Sequence, residues 1–169
     1  MLSKKMEKAL NEQINAEFYS SYLYLAMSAH FETGGLPGCA RWMQAQAQEE
    51  WFHGMKIYGF VHERGGRVGL KAIAAPPADW ASTVEVFEQV REHERKVTGL
   101  INSLLSLALK ENDHATSIFL QWFVSEQVEE EASVDAVLSK LKLIGKENSS
   151  LFALDGELGQ RVFTPPPAK

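Results

Sequence analysis

The sequence is poor in the features that disulfide-bonded and membrane proteins depend on. It has a single cysteine, Cys39, so no intrachain disulfide can form, which is typical of proteins from reducing compartments. No apolar run is long enough to span a bilayer, and the N-terminal residues lack the continuous apolar stretch of a signal peptide. We therefore expect a cytoplasmic protein without a membrane partner.

Positive charge is also scarce. The formal net charge is −5, and the lysines and arginines are scattered, without forming a basic arm. Nucleic acid is therefore not expected as a partner. The apolar fraction of 45% and the charged fraction of 23% are those of a soluble globular protein, and 169 residues suffice for one domain with a sizeable core.

Most of the chain has helical periodicity, with glycine and proline at the boundaries. Ser3 is an N-cap candidate for the first helix, Gly34 and Gly35 can end it, and Pro37 can open the second. The predicted helices cover 3–32, 37–64, 82–111, 114–144 and 150–158, followed by a non-helical, loose tail at 164–169. We expect a single domain over 1–169, with an all-α bundle at about 3–145.

The segment between the second and third helices differs from the rest because it lacks a helical period. It carries three glycines and two prolines between residues 65 and 82. At ~3.3 Å per residue its roughly 18 residues could span about 60 Å, whereas a helix of about 28 residues is only ~42 Å long. The segment can therefore cross the whole bundle and make helices two and three parallel.

Acidic residues lie near the middle of the apolar stripe of each long helix. Glu50 and His53 are three residues apart, so both side chains project from one helical face, which is otherwise mostly apolar. The other helices contribute Glu17, Glu94, and Glu130 with Gln127. Since all lie about half-way along their helices, packing would bring them to one level.

Each of these residues has an ordinary explanation when taken alone: a single glutamate in a stripe is usually solvated at its edge, and a single histidine is usually a core or surface residue. Four carboxylates at matching depth need a compensating cation, since they would repel one another in a low-dielectric core. Oxygen ligands with one imidazole favour iron or manganese, because zinc sites usually contain more His or Cys. Two ions sharing a bridging carboxylate would spread the charge better than one.

The chain resembles the bacterial and archaeal non-haem ferritins over essentially its whole length. The matching segments are 11–17, 19–24, 47–53, 63–66, 93–94 and 119–131. The resemblance implies a ferritin-like four-helix bundle with a long crossover and a short fifth helix, assembled into a homo-oligomeric cage of roughly 24 subunits. It also implies oxidation of Fe(II) by dioxygen or hydrogen peroxide, with ferric oxide deposited inside.

Position by position, the resemblance assigns the metal ligands. Glu17, Glu50 and His53 correspond to a first iron site. Glu94 and Glu130, with Glu50 bridging and Gln127 alongside, correspond to a second. The resemblance further implies that Glu49, Glu126 and Glu129 form a third, cavity-side site, and that Tyr24 matches a tyrosine thought to donate an electron. Glu50, His53 and Tyr24 are thus the residues expected to act in the oxidation.

Two positions distinguish this sequence from the bacterioferritins. Gln127 stands where bacterioferritins and other di-iron oxidases have a second histidine. The lack of that imidazole should weaken retention of the second ion, which suits an enzyme that releases oxidised iron into a store. Trp51 stands where the bacterioferritin haem ligand is Met, so no haem is expected.

Three other classes of protein fit the sequence less well. A non-catalytic helical bundle would use its acids only for structural contacts, and its secreted cytokine-type version would need a signal peptide and disulfides. A DNA-binding mini-ferritin usually has a basic tail, whereas this tail has one lysine, Lys169. A rubrerythrin-type peroxidase needs a Cys-x-x-Cys module that one cysteine cannot supply.

Overall fold

The computed structural model describes residues 1–145 and 148–166, and five helices cover most of them. The helices are α1 (Lys4–Thr33), α2 (Pro37–Glu63), α3 (Thr83–Lys110), α4 (His114–Ile144) and α5 (Asn148–Leu158). The predicted helices agree with these within about two residues. The first part of the predicted tail is non-helical as expected, and residues 167–169 lie outside the described residues.

Local signals account for the helix boundaries. The Ser3 hydroxyl accepts a hydrogen bond from the Met6 amide at 3.0 Å, and Ser82 does the same for Glu85 at 3.1 Å. Pro37 occupies the first turn of α2. Gly35 follows α1 with φ of 75°, a backbone conformation that a side chain would strain. The short α1–α2 and α3–α4 connections make each pair antiparallel.

The long connection between α2 and α3 runs along α1 and is bound to it by polar side chains at helical spacing. Glu7 accepts a hydrogen bond from the Arg67 amide at 3.0 Å. Asn11 bonds the Arg67 carbonyl and the Gly69 amide at 3.0 and 2.7 Å, and Asn15 donates to the Ala72 carbonyl at 3.2 Å. Further on, Trp80 lies against His30, near the other end of α1. The connection is therefore the predicted crossover, and α2 and α3 are parallel.

The core consists of two apolar clusters at opposite ends of the bundle. One joins the end of α1, the start of α2, the start of α3, the end of α4, and α5. The other joins the start of α1, the end of α2, the end of α3 and the start of α4. Between the two clusters lies a layer of buried polar side chains, which we call the polar belt. None of the described helices is long and apolar enough to cross a membrane.

An aspartate on α5 attaches that helix to the bundle. The N-cap residue of α2, Leu36, makes no side-chain capping bond, so the first amides of α2 need another acceptor. The buried Asp155 carboxylate accepts from the Gly38 amide at 3.0 Å and the Cys39 amide at 2.7 Å. At Gly38 a Cβ atom would lie 1.7 Å from the Asp155 carbonyl oxygen. Only glycine permits this approach, so Gly38 allows α5 to pack directly against the start of α2.

Candidate metal centre

The polar belt contains all the acids that the sequence places at mid-helix. Glu17, Glu50, Glu94 and Glu130 are each at most 3% exposed, although they come from four different helices. Isolated ionised carboxylates at such depth would cost several kcal/mol each. The belt consists of Gln13, Glu17, Ser20, Ser21, Gln46, Glu50, His53, Glu94, Gln127 and Glu130.

The α1–α2 half of the belt is a preformed ligand set in which three carboxylate oxygens have no hydrogen-bond partner. Glu17, Glu50 and His53 each offer a ligand atom, and these atoms lie within 4.8 Å of one another. The Nδ1 atom of His53 is 3.5 Å from the nearer Glu50 oxygen. Both Glu50 oxygens and Oε2 of Glu17 lack a hydrogen-bond partner. Buried oxygens of this kind are expected to be satisfied by hydrogen bonds or by a cation.

Burial determines the protonation chemistry of this half. Desolvation, together with the charges of Glu94, Glu17 and Glu130, raises the pKa of Glu50 well above its usual value. Desolvation also raises the pKa of Glu17. For His53, burial and the nearby Lys56 lower the pKa to about 3, so the imidazole is neutral at pH 7. A neutral imidazole is the form that binds metal.

The α3–α4 half is arranged differently, because both oxygens of Glu94 and one of Glu130 are hydrogen-bonded within the protein, and only Oε1 of Glu130 lacks a partner. Tyr24 donates to Glu94, and Gln127 Nε2 lies 3.2 Å from the other Glu94 oxygen. Gln46 donates to Glu130 at 2.8 Å. Burial raises the pKa of Glu94 to about 7 and that of Glu130 to about 8.

A second cluster lies on the other side of His53. Ligand atoms of Glu49, His53, Glu126 and Glu130 lie within 4.8 Å of one another, and we call these four residues the Glu49 cluster. Two of the three residues expected at a third site, Glu49 and Glu126, are in it. The remaining one, Glu129, is exposed and outside it, although its charge helps raise the pKa of Glu49 and Glu126.

Three contacts to the candidate ligands were not predicted from the sequence. Gln13 donates to Glu17 at 2.9 Å and Gln46 to Glu130, while Arg161 donates to Glu49 at 2.8 Å. Gln13 and Gln46 each lie four residues before a buried acid, so the same periodicity that located the acids could have indicated them. No local pattern indicates Arg161, because 112 residues separate it from its partner.

Trp51 faces the outside of the bundle. Its side chain is 54% exposed and stacks on Phe18 with ring centroids 4.6 Å apart. About one helical turn after Trp51, Gly54 has no space for a Cβ, which would meet the Phe18 ring at 2.6 Å. The bulky pair of aromatic rings thus fixes the separation of α1 and α2 where the ligand set forms.

Comparison with known proteins agrees with this geometry. The Ferritin-like domain family matches residues 7–144. The chain belongs to the ferritin family. Iron storage is the function of ferritins, and therefore of this one.

The bacterial non-heme ferritin of Bacteroides fragilis is 45% identical over 161 residues, which are 95% of this chain and all of that protein. Its counterpart in Staphylococcus aureus is 39% identical over 163 residues, covering 96% and 98% of the two chains.

Solved structures are similar to this ferritin over nearly the whole chain. An engineered closed form of the Archaeoglobus fulgidus ferritin superposes with a TM-score of 0.96 at 52% identity, covering 97% of this chain and all of that one. The open pore ferritin of the same archaeon gives 0.95 at 52% identity, covering 95% and 99%. The predicted fold class, a ferritin-like bundle with a long crossover and a short fifth helix, is confirmed.

Proposed function

We propose that this ferritin oxidises Fe(II) at a di-iron centre in the polar belt and deposits the ferric product inside a homo-oligomeric cage. The observation that carries the proposal is the α1–α2 ligand set. Three carboxylate oxygens there are buried without partners beside a neutral imidazole. Carboxylates with one imidazole are a donor set suited to iron, so an iron ion would satisfy all these groups at once.

Each residue has a definite task in this scheme. Glu17, Glu50 and His53 bind the first Fe(II). Glu94 and Glu130 bind the second, and Glu50 bridges because its two oxygens are both free. Gln127 and Tyr24 orient Glu94 by their hydrogen bonds.

Electron balance explains why two irons are needed. Each Fe(II) gives up one electron. A pair held together therefore supplies the two electrons that reduce dioxygen to hydrogen peroxide, or hydrogen peroxide to water.

Burial affects this reaction in two ways: it limits access of water, and it makes protons compete with Fe(II) for the carboxylates. The belt is closed above and below by apolar clusters, so water has little access to the reacting ions. Binding Fe(II) also displaces the protons that the raised pKa values of the carboxyl groups retain in the metal-free protein.

Storage requires an enclosed space, which a single bundle lacks. We propose that copies of this chain assemble into a cage of roughly 24 subunits, as the resemblance implies. The solved relatives include both an open pore and an engineered closed form.

The test is aerobic addition of Fe(II) to the metal-free protein, followed by ferric absorbance and the mass of the particle. Fast oxidation that needs Glu50, in a particle that retains iron, is expected. Oxidation no faster than in buffer, or iron that remains outside the particle, would refute the proposal.

A further inference from the structure

The Glu49 cluster is bordered by a cation that comes from the far end of the chain. Arg161 Nη2 lies 2.8 Å from Oε2 of Glu49, and Nη1 lies 3.4 Å from the Ser133 hydroxyl. The guanidinium also lies over the Trp42 ring at 4.5 Å from its centroid. Three contacts from two helices therefore hold this guanidinium in one place.

The backbone around Arg161 is fixed as well. It is the third residue after α5, and the Asp155 bonds attach α5 to the start of α2. Gly159 packs within 3.1 Å of the Gly38 Cα atom, measured from an added Cβ. Further along, the Phe163 ring packs against Phe52 at 5.8 Å. The chain is thus anchored on both sides of Arg161, next to the ligands on α2.

The charge of Arg161 acts on the cluster and not only on its immediate partner. It opposes the rise in the pKa of Glu49 and also that of Glu130, which itself donates a ligand atom to the cluster. The two side chains of the ion pair are 23% and 15% exposed, so water screens their interaction only partly. A cation in this position lowers the affinity of the cluster for a second cation.

We propose that Arg161 competes with the metal ion for the Glu49 carboxylate, so that the Glu49 cluster binds its ion weakly and passes it on. The proposal rests on the ferroxidase function given above and deepens it. While the cluster is empty, the guanidinium occupies Glu49. An arriving ion must displace it, and its charge remains close enough to favour departure of the ion. The α1–α2 ligand set, in contrast, has no such basic partner in the described contacts.

The experiment is anaerobic titration of metal-free cages with Fe(II), and with Zn²⁺ as a redox-inert probe, followed by calorimetry. In Arg161→Gln we expect the weakest class of sites to bind about tenfold more tightly, since a cation has been removed from their border. Arg161→Lys keeps the charge and should bind the weak ion as the wild type does.

Lys140→Gln is the matched control. Lys140 on α4 pairs with Glu157 on α5, and both are about half exposed, so this change also removes a positive charge that contacts α5. Lys140→Gln should leave the affinity of the weakest class of sites unchanged. Circular dichroism and particle mass establish that each variant is folded and assembled.

Three results would overturn the proposal: unchanged affinity in Arg161→Gln, loss of the weak class in that variant, or an Arg161→Lys variant that binds as tightly as Arg161→Gln. Loss of the weak class in Arg161→Gln would mean that Arg161 holds the Glu49 carboxylate in the position that binds the metal ion. Failure of the ferroxidase function is separate, because it would appear as slow oxidation in the wild-type protein.

Discussion

The two halves of the polar belt hold similar acids, but these acids differ in how many of their oxygens are hydrogen-bonded. On α1 and α2, both oxygens of Glu50 and one of Glu17 are without partners. On α3 and α4, Glu94 is bonded by Tyr24 and Gln127, and one oxygen of Glu130 by Gln46. One half therefore requires an ion to be satisfied, and the other is largely satisfied without one.

The difference indicates how one site can take up iron and still release it. A carboxylate without partners gains its full electrostatic stabilisation from the ion. A carboxylate that already accepts hydrogen bonds must share or give up those bonds first. We therefore expect the first ion to bind through Glu17, Glu50 and His53 with higher affinity, and the second to be held less firmly.

Removing the shared ligand should have the largest effect. Glu50→Ala deletes the only belt carboxylate with two free oxygens, and His53→Ala deletes the imidazole beside it. In each variant we expect the fold to remain and the initial rate of Fe(II) oxidation, followed by ferric absorbance, to fall by at least about 100-fold. Glu12→Gln changes an exposed acid and is the control. Oxidation kinetics unchanged in both variants would refute the site assignment.

Making the second half resemble the first should have the next largest effect. Gln127→His replaces the amide that bonds Glu94 with an imidazole, three residues from Glu130. The added ligand should make the second ion about tenfold harder to remove. The measurement is the number of Zn²⁺ ions retained per chain after dialysis against a chelator. Gln121→His, at an exposed position of the same helix, should retain no extra ion.

The sequence was sufficient for the fold because local signals determine it. Serine caps, paired glycines and Pro37 mark the helix boundaries, and the length of the 65–82 segment requires a crossover. The acids of the belt were predicted for a related reason, since helical periodicity determines which side a residue faces and how deep along the helix it lies.

The state of each acid could not be predicted in the same way. Whether Glu94 is bonded by Tyr24 depends on the packing of α1 against α3, because the two residues are 70 positions apart in the sequence. The ion pair of Glu49 with Arg161 likewise depends on the docking of α5. Glu129 was expected among the metal ligands because it belongs to the run of acids on α4, but its side chain is exposed on the outside of the helix.

Metal-free protein should lose stability as pH rises, and this follows from the raised pKa values. A carboxyl group whose pKa is higher in the folded than in the unfolded chain stabilises the fold below the unfolded value. That contribution is lost as pH rises through the folded value. For Glu94 and Glu130 the folded pKa values are about 7 and about 8, against 4.5 for an ordinary glutamate.

The midpoint of thermal unfolding of the metal-free cage should therefore fall by several degrees between pH 5 and pH 8. Glu50→Gln should raise the midpoint at pH 8 and flatten its dependence on pH, because it removes a buried carboxyl group whose own pKa is raised well above its usual value. Added Zn²⁺ should likewise raise the midpoint at pH 8 and flatten its dependence on pH. A midpoint that rises over this interval at constant particle mass would show that the buried acids do not control it.

The smallest expected effect distinguishes two acids of α4 near the Glu49 cluster. Glu126 contributes a ligand atom to the cluster, whereas Glu129 is exposed and acts on it only through its charge. Glu126→Gln should therefore remove one weakly bound ion per chain. Glu129→Gln should lower the affinity for that ion by only about two- to threefold, as expected for a partly screened charge.

In both variants the iron-to-oxidant stoichiometry should change more than the initial rate, since the α1–α2 ligand set is unaffected. Equal loss of the ion in the two variants would mean that Glu129 turns inward to bind the metal, and an equal loss of initial rate would remove the distinction between the cluster and the di-iron centre.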